Sequence, residues 1–498
     1  MKRTAFGSPA AWTLGVLTLA CAAGCASSGS TAAPSPATSK TEARARCRGT
    51  LGFEAAPVSR KLRKALKLPE DFRGAIVGEV LPGGPAAAAG IRANDIVVTI
   101  GGVSIANDCE QDAAAFDRAC EPVHVVLRRG GATVEADLVL VDQDTFYADT
   151  CGRGVETACF RQALLLWHRD ASADRDRAIE IFDTACRAGH ADSCAYEGLR
   201  LTDREGRSKD ALAAANRACD LGSAAGCAHL AFLYATGKIV ARDDRRATPL
   251  YVKSCDLGDA KGCYNAGLMA DDGRGVAANA ALAVTRYREA CEMGSSTACT
   301  NLGFHYEYGR GVAKDTAKSL ALYRRGCEGT RCQPSNLGGC VNVGRAYRDG
   351  IGIEKSEPRA AEIFREACGR KPDSDDVESA QNGARACSLL GGLYIAGDGI
   401  PKDLAEGRRL SEHGCDRGDS FGCFNAAAVY GSGADRDPEK AAHFLDRACA
   451  AGDAVGCFDL GVAYEKGNGV SREARRAAEL YKKACGLGFA PACAKKGR

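Results

Sequence analysis

Residues 457–485 read CFDLGVAYEKGNGVSREARRAAELYKKAC, and residues 299–327 read CTNLGFHYEYGRGVAKDTAKSLALYRRGC. Each stretch divides into a short apolar segment, a Gly-x-Gly break and a second segment whose apolar residues recur every three or four positions, as do Leu320, Tyr323 and Cys327. That spacing predicts an amphipathic helix with one buried stripe. Glycines in the break supply the left-handed conformation in which a helix ends. The unit is therefore predicted to be a pair of helices.

The first segment of each copy places Leu, Gly and Tyr on or near one helix face. These residues are Leu302, Gly303 and Tyr306 in one copy, and their counterparts are Leu460, Gly461 and Tyr464. Because glycine has no side chain, it lets the two helices of a pair approach closely. We interpret most of the tyrosines as core residues.

Cysteine pairs recur with this unit from Cys151 to Cys493, and the two cysteines of a pair are usually eight positions apart. Their first members mostly advance by 33 to 36 residues, which is the repeat period. Two pairs carry insertions between the partners. The pairs are Cys151/Cys159, Cys186/Cys194, Cys219/Cys227, Cys255/Cys263, Cys291/Cys299, Cys327/Cys340, Cys368/Cys387, Cys415/Cys423, Cys449/Cys457 and Cys485/Cys493.

The 26 cysteines indicate an oxidising compartment. Zinc sites usually show C-x2-C spacing, which this sequence lacks, so we predict disulfides and no metal. Each pair would tie the end of one repeat to the start of the next and would contribute roughly 2–3 kcal/mol. A further four cysteines have no assigned partner, and a Cys109–Cys120 bond stays open; the four are Cys47, Cys109, Cys120 and Cys332.

The repeats resemble the Sel-like repeat family, a relative of the tetratricopeptide solenoids. The resemblance covers residues 144–498 and implies an all-α, right-handed solenoid of about nine disulfide-stapled helix pairs. Units that begin at Cys159 and Cys194 depart from the pattern, since they lack the tyrosine and a clear Gly-x-Gly. In the unit that begins at Cys423, Ala427 replaces the usual glycine. These units are interpreted as caps or eroded repeats.

The N-terminus predicts export. Lys2 and Arg3 precede an apolar stretch over residues 10–20 that is too short to span a bilayer, and Ala-Ala-Gly precedes Cys25. This pattern resembles a lipoprotein signal over residues 1–25 with Cys25 as the lipidated residue; Cys21 is the weaker candidate, and a simple secretory signal stays open. Residues 26–47 cannot bury a core and are predicted to be a flexible linker. The expected location is the periplasm, at the outer membrane.

Residues 48–143 show short strand patterns broken by glycines. GAIVGEVL (74–81) and DIVVTI (95–100) alternate, and two further strands flank Gly130-Gly131. Gly101-Gly102 suits a tight hairpin turn. PGGPAAAAGI, which follows the first of these strands, predicts a turn and a small helix, and a longer helix is predicted over Asp108–Ala119. The segment is predicted to be a small β-rich domain.

This domain resembles the PDZ domains of periplasmic serine proteases of the high-temperature-requirement family, both at TLGFE (50–54) and over residues 74–105. The resemblance implies that a partner's C-terminus or internal strand adds to the sheet. Backbone N–H groups of Leu51, Gly52 and Phe53 would bind the terminal carboxylate, and Phe53 and Phe116 would line an apolar pocket. A spacer domain without ligand stays open. The protease's own G-N-S-G-G motif is absent from this sequence.

Net charge is close to zero, with 66 Lys+Arg against 63 Asp+Glu, which argues against nucleic acid as a partner. We therefore predict a protein–protein adaptor or scaffold without catalytic residues or cofactor, contacting the membrane only through its lipid. The alternative is a β-lactamase or penicillin-binding protein. The repeats resemble those of cysteine-rich secreted Sel-like proteins, which have been classed as β-lactamases or penicillin binders. Against it, no S-x-x-K or K-T-G motif is present, and the seven histidines are scattered singly.

Overall fold

A computed structural model describes residues 49–58, 63, 65–69, 72, 74–105, 122–169, 171–329, 336–370, 377–432 and 436–495. These residues form two compact units, one up to Gly294 and one from Ser295 onwards. The predicted signal peptide and linker lie outside the described residues, as do the helix 108–119 and six singled-out residues: Cys25, Cys47, Cys109, Phe116, Cys120 and Cys332.

The β-rich domain is built from short antiparallel strands. Those described are β1 (Gly49–Thr50), β2 (Phe53–Pro57), β3 (Ala75–Val80), β4 (Ile96–Ile100), β5 (Val103–Ser104), β6 (Pro122–Arg129), β7 (Ala132–Val139) and β8 (Val141–Asp142), with the short helix α1 (Pro85–Ala88) after β3. One sheet has the order β2-β3-β4-β6-β7 with β5 beside β4, and β1 pairs with β8. Among the described strands, β2 therefore lies at an edge of its sheet.

The predicted hairpin turn is confirmed, and a second one joins the two strands that flank Gly130-Gly131. Gly101 and Gly102 connect β4 to β5 with φ of +57° and +84°, and Gly130 and Gly131 connect β6 to β7 with φ of +55° and +91°. Two successive positive φ angles match the twist of an antiparallel hairpin, and glycine adopts them without strain. The alternating apolar residues of these strands form one core, with Val77, Val97, Ile100, Val125 and Leu127 fully buried.

From residue 143 onwards the described chain is helical. Up to Gly294 the helices are α2 (Gln143–Gly152), α3 (Glu156–Trp167), α4 (Ser172–Ala188), α5 (Ala191–Leu201), α6 (Ser208–Asp220), α7 (Ala224–Thr236), α8 (Asp244–Asp256), α9 (Ala260–Asp272) and α10 (Ala280–Glu292). From Ser295 they are α11 (Ser296–Tyr308), α12 (Thr316–Glu328), α13 (Leu337–Asp349), α14 (Glu357–Gly369), α15 (Val377–Ala396), α16 (Leu404–Asp416), α17 (Ser420–Gly431), α18 (Pro438–Ala450), α19 (Ala454–Lys466), α20 (Ala474–Gly486) and α21 (Ala490–Lys495). None of these described helices is long and apolar enough to cross a membrane.

Each regular helix pair is delimited by residues that the repeat supplies. The Asp453 side chain accepts a hydrogen bond from the Gly456 N–H at 2.8 Å and caps the start of α19. Gly467 then ends this helix in the left-handed conformation with φ of +74°. Asp259 and Gly273 cap α9 in the same way. The predicted helix pairs are thereby confirmed.

The two glycines of the Gly-x-Gly break have different functions. A Cβ on Gly467 would meet its nearest atom, in Arg472, at 3.4 Å, which is ordinary contact. A Cβ on Gly469 would lie 1.9 Å from the carbonyl oxygen of Pro438, at the start of the second helix of the preceding repeat. A Cβ on Gly275 would likewise lie 2.0 Å from the carbonyl oxygen of Asp244. The second glycine is therefore required where consecutive repeats pack.

Within a pair, a glycine of the first helix faces a tyrosine ring of the second. A Cβ on Gly303 would lie 2.8 Å from the Tyr323 ring, and one on Gly461 would lie 2.7 Å from the Tyr481 ring. Tyr323 is 1% exposed, and its hydroxyl donates to Glu307 at 2.7 Å. Both tyrosines are thus core residues.

Disulfides connect the repeats as predicted. Cys449 in the last turn of α18 bonds to Cys457 in the first turn of α19, with 4.4 Å between their Cα atoms. The insertion-bearing pairs also form, namely Cys327–Cys340 and Cys368–Cys387. The other bonds are Cys151–Cys159, Cys186–Cys194, Cys219–Cys227, Cys255–Cys263, Cys415–Cys423 and Cys485–Cys493, and Cys291 and Cys299 are disulfide-bonded as well.

Candidate peptide-binding site

The loop that was predicted to bind a carboxylate leads into the edge strand β2. Leu51 is buried, and Phe53 packs against the core of the β-rich domain. The carbonyl groups of the loop are satisfied internally, since Leu51 O accepts from the Ala86 N–H at 3.0 Å and Gly52 O accepts from the Leu81 N–H at 2.9 Å. The loop is thereby held against α1 and the end of β3.

Gly52 is required by its own backbone. Its φ is +74°, and a Cβ would lie 3.1 Å from Pro85 Cδ and 3.2 Å from Gly84 Cα. The resemblance assigned this glycine only to the loop that would bind a carboxylate. The structure adds two local reasons: the left-handed conformation and the packing of the loop on the start of α1.

The outer edge of β2 is unpaired among the described strands. On its inner side β2 pairs antiparallel with β3, so that Phe53 lies opposite Val80 and Glu54 lies opposite Glu79. Phe53 and Ala55 contact the domain core, and alternation places Glu54 on the other face. An open edge of this kind accepts one further strand through main-chain hydrogen bonds.

A helix of the repeat region supports the loop from behind. Tyr147 in α2 places its hydroxyl 2.7 Å from Thr50 Oγ1, and the Gly52 N–H donates to the same Thr50 oxygen at 3.3 Å. Thr50 is 7% exposed and Tyr147 is 9% exposed, so this chain of hydrogen bonds is buried. Next to it, Phe146 Cζ lies 3.0 Å from where a Cβ of Gly84 would be.

Helix α3 contacts the outer face of β2 and β3. Arg161 binds Glu54 with two hydrogen bonds, one of them from Nε to Oε1 at 2.6 Å. One turn earlier on the helix, Thr157 Oγ1 donates to Glu79 Oε2 at 2.6 Å. Two carboxylates directly opposite each other repel. The guanidinium of Arg161 and the hydroxyl of Thr157 offset that repulsion.

An apolar cluster completes this junction between the β-rich domain and the first helices. It comprises buried Leu81, Tyr147, Ala158 and Leu165, with Phe146, Cys151 and Val155 partly buried around them. The β-rich domain and the first helices therefore touch. In the structure they share a continuous interface. Two of its residues, Tyr147 and Arg161, reach the candidate groove, which is the open edge of β2 together with the loop at Leu51–Phe53.

Sequence reasoning missed Tyr147 and Arg161 as site residues. They lie 97 and 107 positions from their partners Thr50 and Glu54. The only available signal was the adjacent pair Phe146-Tyr147 in a chain with 6% aromatic residues.

The two most buried histidines among the described residues are hydrogen-bonded inside the repeat region. The His305 Nδ1–H donates to Arg310 O at 2.8 Å. Because the Thr202 hydroxyl donates to Gly198 O at 2.8 Å, Thr202 must accept from the His229 Nε2–H, 3.0 Å away. His229 Nδ1 has no partner among the described residues. Burial lowers the pKa of His229 to about 4.

This histidine makes the repeat region sensitive to mild acid. The unfolded chain binds a proton at His229 below about pH 6.5 and the folded chain only near pH 4. The free energy of unfolding contributed by this residue is therefore about 2 kcal/mol smaller at pH 5 than at pH 7.5. Burial raises the pKa of Glu197 to about 7, which acts in the opposite direction.

Because Glu197 opposes the effect of His229, the parent protein must be compared with its His229→Gln variant. The free energy of unfolding of each is measured in urea at pH 5 and at pH 7.5. We expect the difference in free energy of unfolding, variant minus parent, to be larger at pH 5 than at pH 7.5. An exposed-site control, His443→Gln, should follow the parent protein. A His229→Gln variant with the same pH dependence as the parent would contradict the assignment.

Among the described residues, one group has metal-like spacing. Ligand atoms of Cys255, Cys263 and Glu289 lie within 4.8 Å of one another. However, the two cysteines are bonded to each other, so the group offers no thiolate.

Family models match both parts of the chain. The PDZ domain model matches residues 76–129. The Sel1 repeat model matches eight segments, which are residues 157–190, 224–259, 260–295, 296–330, 338–370, 384–419, 420–453 and 454–489. Together these eight segments make up more than half of the chain.

Similar proteins divide along the same line. The serine protease HTRA1 of Xenopus tropicalis is 33% identical over 89 residues, which cover 17% of this chain, and the chain spans about a fifth (19%) of that curated relative's length. A Sel1 repeat protein from Oxalobacter formigenes is 18% identical, with 67% of this chain and 92% of that chain covered and a TM-score of 0.47. The protective antigen c5321 of uropathogenic Escherichia coli, which displays an SLR fold, is 22% identical, with 71% and 81% covered and a TM-score of 0.42. The chain thus belongs to the Sel1 repeat family and carries a PDZ domain ahead of its repeats.

Proposed function

We propose that this protein is an exported adaptor or scaffold, whose PDZ domain captures the C-terminal strand of a partner while the repeats bind a larger protein surface. The observation that carries the proposal is the open edge of β2, which begins at the left-handed loop around Gly52. Sel1 repeats and PDZ domains serve as protein-interaction modules, and a repeat array offers an extended surface for a partner.

The chemistry of the groove supports this proposal. Strand addition satisfies the free backbone groups of β2 and requires no particular side chain in the ligand. Leu51 and Phe53 supply apolar surface at the end where the chain would stop. We assign the carboxylate to the N–H groups of Leu51, Gly52 and Phe53, and the second wall of the pocket to Phe116. The Gly52 N–H, whose 3.3 Å contact with Thr50 is long, would then be shared between the Thr50 oxygen and the carboxylate.

The disulfides support export. Bonds of this kind persist in oxidising compartments such as the periplasm. We propose a periplasmic location, with Cys25 as the lipidated residue that anchors the protein to the outer membrane and provides its contact with the membrane. Residues 48–143 and 144–498 are proposed as the two domains, after a signal at 1–25 and a linker at 26–47.

The test is to titrate the mature, disulfide-bonded protein with a peptide carrying either a free or an amidated C-terminus. We expect the free carboxylate to bind at least about tenfold more tightly, because charge-assisted hydrogen bonds are the strong ones. Gly52→Val should abolish the difference. Equal binding of the two peptides would overturn the carboxylate assignment.

The buried hydrogen-bond chain provides a second set of variants that preserve the fold better. Tyr147→Phe and Thr50→Val each remove one hydroxyl from the chain that holds the Gly52 N–H in position. Because the loop would then present its N–H groups less precisely, we expect each variant to bind the free peptide about fivefold more weakly, the equivalent of one net hydrogen bond. Thr50→Ser should restore binding, and the affinity of the amidated peptide should not change.

A chromogenic β-lactam tests the alternative function in parallel. Turnover of this substrate that persists in Gly52→Val would assign the function to the repeats.

A further inference from the structure

The groove continues onto a helix that does not belong to the PDZ domain. A peptide strand added to β2 would alternate its side chains between the two faces of the sheet. If the last side chain enters the apolar pocket at Leu51 and Phe53, the penultimate one lies on the opposite face. That face carries Glu54, and beyond it Glu79, Thr157 and Arg161.

The charges on this face are unequal. Two carboxylates, those of Glu54 and Glu79, lie directly opposite each other on this face, whereas Arg161 is the cation bound to Glu54. The surface beside the penultimate side chain is therefore net negative.

The existing contacts also decide against an acidic ligand residue. Arg161 already binds both oxygens of Glu54, so its positive charge is matched and a second carboxylate would make this face more negative. It would then stand beside Glu79, whose partner is the neutral hydroxyl of Thr157. An ammonium or guanidinium group, in contrast, adds to the face without breaking any of these bonds.

We propose that helix α3 of the repeats is a wall of the peptide groove, and that the groove selects partners with lysine or arginine as the penultimate residue. The inference rests on the proposed function and names its partner class. The contacts that carry it are Arg161–Glu54 and Thr157–Glu79, which connect the repeat region to β2, at the edge of the groove, and to β3 beside it.

The experiment uses three peptides with free C-termini that differ only in a penultimate Lys, Ala or Glu. We expect the Lys peptide to bind about tenfold more tightly than the Glu peptide at low salt, because a partly exposed ion pair changes affinity severalfold in each direction. The ratio should fall to about twofold at about 0.5 M salt, where such pairs are screened.

A matched pair of variants locates the effect. Glu79→Gln should lower the Lys/Glu ratio about threefold. Glu135→Gln removes the same charge from β7, where the side chain is 65% exposed, and should leave the ratio unchanged. If the Ala peptide binds but charge has no influence, only this inference is wrong. If none of the three peptides binds, the proposed function is wrong as well.

Discussion

Reducing the disulfides is expected to unfold the repeat region at room temperature. Each eight-residue loop contributes about 2.5 kcal/mol by restricting the unfolded chain, and about ten such bonds exceed the 5–15 kcal/mol by which domains are usually stable. The apolar cores alone are small, since many fully buried positions are alanines such as Ala448, Ala484 and Ala492. Small side chains bury little apolar area.

Far-ultraviolet circular dichroism during a titration with a phosphine reductant measures this. The helical signal should disappear as the bonds open and should return on reoxidation. As a graded control, replacing only Cys449 and Cys457 by alanine should lower the free energy of unfolding by about 2–3 kcal/mol and leave the chain folded. A fully reduced protein that keeps its helical signal and its melting temperature would contradict this account.

Gly469→Ala is expected to be the most damaging single-methyl change in the repeats. The new Cβ would stand 1.9 Å from Pro438 O, and its backbone partner cannot rotate away as a side chain would. One repeat must shift against the next, at a cost of roughly 3–5 kcal/mol together with the left-handed strain.

Gly467→Ala is the matched control, two residues away. Its φ of +74° is nearly the +73° of Gly469, but its Cβ has space. We expect a loss of about 1 kcal/mol from the left-handed conformation alone. Urea unfolding of the two variants separates packing from backbone strain. Equal losses would show that contact between repeats does not constrain the second glycine.

Local and periodic features could be predicted from the sequence. The helix pairs follow from apolar spacing and Gly-x-Gly breaks, and the disulfides follow from cysteines that lie eight positions apart. The hairpin at Gly101-Gly102 was predictable because glycine adopts both left-handed conformations of such a turn without strain. In each case the residues that make the contact are near neighbours in the chain.

Contacts between distant segments could not be predicted. Nothing near Thr50 indicates that Tyr147 will bind its hydroxyl, and Glu54 gives no sign of Arg161, because both pairings depend on how the PDZ domain packs against α2 and α3. The role of Gly469 was also hidden. A left-handed stop explains both glycines of the break, and only the position of the preceding repeat separates them.

The packed junction at Leu81, Tyr147, Ala158 and Leu165 has a consequence for multivalent binding. Two modules joined by a flexible tether sample many separations, and the second contact of a shared partner then depends on linker length. Here the groove and the first helices are held at one separation. A partner that contacts both therefore loses its translational freedom once, and its second site is presented at a high effective concentration. Disrupting this junction would lower that avidity, and it would also weaken the peptide contact itself, because Tyr147 of α2 supports the loop at Thr50.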